Sequence, residues 1–83
     1  MRKNAEFKNR DRFIQIGLTV SALRKMQGLT QEALAEKAHI SRSLLSMIEA
    51  PGEDIRFSLE VLLNIADALN VSPADLLSGK III

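Results

Sequence analysis

Eighty-three residues with 11 Lys and Arg against 10 Asp and Glu, a formal charge of +1 and 47% hydrophobic side chains fit one small folded domain and exclude a disordered chain. The absence of cysteine excludes a disulfide framework and a thiolate metal site, and it fits a reducing cytoplasm. Three Phe, no Trp and no Tyr leave the core to Leu, Ile, Val, Ala and Met.

The chain opens with a basic leader over 1–12, in which Arg2, Lys3, Lys8, Arg10 and Arg12 outnumber Glu6 and Asp11. Such a run is either a solvated leader or an arm that meets phosphates. A near-neutral total does not exclude a nucleic-acid partner, because only the contact face must be positive. From about Asn9 to Gln27 the pattern is a long helix with Phe13, Ile16, Val20 and Leu23 on one stripe. Gly17 lies on the same side as a small residue where another helix can approach closely, and Gly28 stops the helix.

Two short helices follow. Thr30 can cap the first, in which Leu34, Ala35 and Ala38 recur at helical spacing. Ser41 can cap the second, in which Leu45 and Ile48 share a face. Only a few residues around His39 and Ile40 separate them, so the helices must cross steeply, as in a helix-turn-helix. The second helix then stands out from the body, where it can enter a DNA major groove.

Residues 50–57 contain Pro51-Gly52 and three charges and read as a loop. Ser58 caps a fourth helix, with Leu59, Leu62, Leu63, Ala66 and Leu69 expected to point inward and Asn70 at its end. Ser72, Pro73 and Asp75 start a fifth, very short helix, which Gly79 closes. The chain then reaches an apolar tail over 80–83, where Ile81, Ile82 and Ile83 either fold back over the core or pack against a second subunit. No segment alternates with period two for long enough to be a strand, and no apolar run can span a bilayer. The expected class is all-α, with no membrane involvement.

The run GLTQEALAEKAHISRSLLSMIE, with LRK before it and SLEVLLNIADALNVSPADLLSG after it, resembles the phage-repressor-like (Cro- and Xre-type) helix-turn-helix family over about residues 13–79. The resemblance implies a five-helix lambda-repressor-like domain whose second and third helices bind DNA. Gln31 stands at the family's glutamine that reaches a phosphate and braces the recognition helix. Ser41, Arg42 and Ser43 stand where family members touch base edges and phosphates, with Ser46 and Met47 further along that helix. Arg24 and Glu49 match a pair that joins the first helix to the end of the third.

These assignments have physical grounds of their own. A helix N-terminus exposes unsatisfied N–H groups that favour phosphate. An arginine in the first turn can present two donors to guanine, the commonest specific base contact. Arg24 and Glu49 are better read as a structural pair than as DNA ligands.

Three departures from the family stand out. His39 occupies a turn position that usually holds Gly, though histidine is among the few other residues enriched at positive φ. A turn role suits this single histidine better than metal or acid–base work, which would need partners. Leu44 and Met47 replace residues that are more often polar, and they suit thymine methyls, a protein contact or core packing. The loop after Glu49 is longer than usual, with Phe57 in place of a proline and Arg56 able to reach a phosphate.

The leading reading is a sequence-specific, double-stranded DNA-binding regulator. It would act as a repressor, bound as a homodimer to a palindromic operator, with an antitoxin-type autorepressor as a variant. The competing reading is a protein-interaction module that keeps the fold without binding DNA. An enzyme lacks support, because the chain has no cysteine, no second histidine and no phosphate-cradling glycine loop. No cofactor or metal is implied.

Overall fold

The computed structural model describes residues 7–53 and 55–80. Five helices follow in order: α1 (Arg10–Met26), α2 (Gln31–Ala38), α3 (Arg42–Glu49), α4 (Leu59–Leu69) and α5 (Pro73–Ser78). The all-α class and the helix order are as the sequence predicts. No described helix is long and apolar enough to cross a membrane. Arg2, Lys3, Glu6, Asp54 and the isoleucine tail lie outside the described residues.

Local chemistry sets the helix boundaries. The hydroxyls of Thr30, Ser41, Ser58 and Ser72 each accept from the backbone N–H three residues ahead, satisfying one orphan donor of the helix they open. Ser72 and Asp75 complete a reciprocal capping box, with Pro73 at the first helical position.

At their C-termini α1, α2 and α4 stop alike. A residue at positive φ (Gly28, His39 and Asn70) turns the chain back, and the next N–H bonds to a carbonyl five residues earlier. His39 adopts φ 58°, ψ 39°, so the chain's single histidine performs the turn expected of it. A side chain in this conformation costs about 1–2 kcal/mol, partly offset by the flexibility that glycine brings to the unfolded chain. His39→Gly should therefore stabilise the fold by about 0.5–1 kcal/mol, read as a higher urea midpoint at unchanged slope.

Ile16, Val20 and Leu23 of α1, Leu34, Ala35 and Ala38 of α2, and Leu45 and Ile48 of α3 meet one another in the core. From α4 the buried residues are Leu62, Ile65, Ala66 and Leu69, and from α5 Leu76. This corrects the expected phase of α4: Leu59 and Leu63 face outward, at 66% and 37% exposure, and Ile65 is fully buried. The sequence LEVLLNIADAL is apolar on more than one side, so periodicity alone leaves the buried side ambiguous. Packing against α2 and α5 selects it.

The three phenylalanines gather at one end. Phe13 makes edge-on contacts with Phe7 at 5.5 Å and with Phe57 at 4.8 Å between ring centroids. Phe57, the departure from the usual proline, thereby fastens the α3–α4 loop to the start of α1.

Candidate nucleic-acid interface

Helix α3 packs against α1 and α2, and its position is fixed at its C-terminal end. Gly17 is buried where α1 crosses α3, and a Cβ there would overlap the carbonyl oxygen of Ile48. The close approach expected at this glycine is thus made to the last turn of the second short helix. Beside it, Arg24 forms a two-pronged contact with Glu49. Its Nε donates to Oε2 at 2.8 Å and its Nη2 to Oε1 at 2.9 Å.

A third Arg24 donor, Nη1, reaches the Leu29 carbonyl at 2.8 Å, at the turn between α1 and α2. Gln31 Nε2 donates to Glu49 Oε1 at 3.0 Å. One carboxylate therefore gathers α1, α2 and α3 at a single point. With Arg24 at 9% and Glu49 at 8% exposure, the pair is largely withdrawn from water, so its geometry is held by hydrogen bonds rather than by a diffuse attraction.

The N-terminal turn of α3 is the opposite: Ser41, Arg42 and Ser43 are all exposed, as are Ser46 and Met47 one turn further on. Leu45 and Ile48 bury the other side, so the helix divides into an anchored apolar face and a free polar one. Leu44 is half-buried and packs against the core, which answers the alternatives for that residue. Met47 is 40% exposed and stays on the outer face.

Arg42 borders a polar cleft of about 410 Å³ shared with Arg24, Thr30, Gln31 and Glu32. The starts of α2 and α3 thus face the same space, with orphan N–H groups at both helix ends. Sequence reading did not single out Glu32 as a lining residue. Its signal was its place in the first turn of α2, next to Gln31.

Arg56 lies apart from this cleft. Its guanidinium sits over the Phe7 ring, 4.3 Å from the centroid, in a cation–π contact. The structure therefore gives Arg56 a partner inside the protein while leaving its side chain exposed.

Residues 20–76 match the family model HTH_3, helix-turn-helix. No curated protein matches the sequence significantly. Several solved structures do. The restriction-modification controller protein C.AhdI from Aeromonas hydrophila is 31% identical with a TM-score of 0.71, over 77% of this chain and 94% of that one. The clp gene regulator ClgR from Corynebacterium glutamicum is 29% identical with a TM-score of 0.75, over 82% of this chain and 85% of that one. The competence regulator ComR from Streptococcus vestibularis is 32% identical with a TM-score of 0.72, over 81% of this chain and 22% of that longer one. The match runs from the middle of α1 into α5 and spans both short helices with the turn between them: the chain belongs to the HTH_3 helix-turn-helix family.

Proposed function

We propose that this protein is a sequence-specific, double-stranded DNA-binding transcription regulator. In this reading it acts in the cytoplasm as a repressor, bound as a homodimer to a palindromic operator. The observation that carries the reading is the division of α3: a buried end clamped by Arg24, Glu49 and Gln31, and a free polar end at Ser41, Arg42 and Ser43. A rigidly held helix with an exposed N-terminal turn has the geometry of a major-groove reader. Kinship with the regulators C.AhdI and ClgR supports the same class.

Each side chain then has a role. Arg42 presents paired donors to a guanine edge, and Ser41 and Ser43 donate to phosphates. Ser46 and Met47 face the groove, with Met47 offering an apolar contact to a thymine methyl. Gln31 keeps one amide hydrogen to donate to a phosphate while the other is held by Glu49. Arg56 is the outlying phosphate contact, set on Phe7. A single eight-residue helix reads few base pairs, and a two-fold pair of sites about 34 Å apart supplies the remaining affinity.

The test is binding to random duplex and to a duplex selected from a randomised pool, at several salt concentrations. Affinity should fall steeply with salt on both. Arg42→Ala should cost about 1–3 kcal/mol on the selected site and little on random duplex. Absence of salt-dependent binding to any duplex would return the domain to the class of protein-interaction modules.

A further inference from the structure

We propose that Phe7 is a positioning residue for Arg56, holding its guanidinium ready for a phosphate of the DNA backbone. The proposal rests on the DNA reading above and names what sets one of its contacts.

Four side chains close a circuit at this end of the molecule. Arg56 sits over the Phe7 ring at 4.3 Å, Phe7 meets Phe13 edge-on at 5.5 Å, and Phe13 meets Phe57 at 4.8 Å between centroids. Phe57 directly follows Arg56, so the circuit returns to its start through one peptide bond. Among the described residues no backbone–backbone hydrogen bond holds 55–57. Side chains therefore fix this end of the α3–α4 loop, and Phe13 of α1 is their helical anchor.

The contact occupies the charge of Arg56 but not its donors. An aromatic face attracts a guanidinium without filling its fork of N–H groups. Arg24 is the contrast: three of its nitrogens donate to Glu49 and Leu29, which makes it a structural residue. Arg56 gives no hydrogen bond or ion pair to any described residue. Phe7 is half-buried and Arg56 exposed, so the ring presents the cation at the surface rather than drawing it in. A phosphate, with oxygens that match a planar fork, is the acceptor this arrangement suits.

An unsupported arginine loses rotamer freedom when it meets DNA, and a ring that already restricts it lowers that cost. A cation–π contact at an exposed site corresponds to about a two- to fivefold change in affinity. The effect should be equal for every sequence, because a phosphate contact carries no base identity. Phe7 lies ahead of α1, so the leader acts here through a ring and not only through its cations.

Equilibrium binding of the full 83-residue protein to random and selected duplexes, across a salt series, tests this. Arg56→Ala should weaken binding to both alike and lower the salt slope by about 1. Phe7→Leu keeps an apolar side chain against Phe13 but removes the aromatic face. It should weaken binding to both duplexes about two- to fivefold. Phe7→Tyr, which keeps the face, should bind as the wild type does. Added to Arg56→Ala, Phe7→Leu should have no further effect, whereas a loss through the fold would persist in both backgrounds. Four results would each overturn the proposal and leave the DNA reading standing: wild-type affinity in Phe7→Leu, tighter binding by it, an equal loss in both backgrounds, or an unchanged slope in Arg56→Ala. A wild type that binds no duplex would refute that reading and this proposal together.

Discussion

Glu49→Ala will lower the unfolding free energy by about 3–5 kcal/mol, the loss expected when one partner of a shielded ion pair is removed. The lost carboxylate accepts from both Arg24 and Gln31, so a single substitution strands a largely buried guanidinium and frees the amide at the start of α2. Only the Leu29 carbonyl would continue to hold Arg24. A domain of this size has about 5–15 kcal/mol in total, so a drop in melting temperature on the order of 20 °C should follow. Arg24→Ala should cost about 3 kcal/mol, because Gln31 still offers Glu49 one donor. Replacing both ionic residues with apolar ones of similar volume should restore most of the loss, since the desolvation cost disappears with the charges. Urea titrations of the two single variants and the double variant, followed by circular dichroism, check this. Single-variant losses below 1 kcal/mol would show that the pair adds nothing to the fold.

The second large effect reverses a usual sign. At an exposed site within a helix, Gly→Ala stabilises by about 0.5–1 kcal/mol. Gly17→Ala should instead destabilise by about 3 kcal/mol, at the upper end of overpacking costs. The atom it would strike is backbone: the carbonyl oxygen of Ile48, with the Ile48 carbonyl carbon 2.9 Å from the new methyl. A flexible side chain could swing aside, but here α3 must move as a body or α1 must bend. Thermal melts measure the stability term. Affinity for the selected duplex should fall by more than the lost folded fraction explains, because the displaced element is the proposed reading helix. A Gly17→Ala protein as stable as the wild type would show that the crossing relaxes freely.

Much of the framework was legible because it rests on local chemistry. Thr30, Ser41, Ser58 and Ser72 announce helix starts through short side chains that bond their own backbone, and Gly28, Asn70 and Gly79 announce ends through the conformations they tolerate. The close approach at Gly17 was visible because a small residue interrupts an apolar stripe. What stayed hidden depends on partners distant in sequence. Leu59 and Leu63 read as core because α4 is apolar on adjacent sides, and only its neighbours decide which side is buried. The contact between Arg56 and Phe7 joins residues far apart in the chain and has no periodic signature. The outer face of α3 was legible as residue types. Its division into an anchored end and a free one required the packing around Glu49.

That division has a consequence for aim. With eight residues, α3 is about 12 Å long, so a tilt of about 5° about its clamped end carries Arg42 sideways by about 1 Å. A hydrogen bond tolerates a spread in length of only about 0.5 Å. The helix behaves as a lever whose tip is set by its pivot. In the proposed DNA complex, Gly17, Arg24 and Glu49 would therefore govern which base Arg42 reaches while touching none themselves. Substitutions there should retune sequence preference as well as stability, so the sighting of the proposed reader is adjusted from behind.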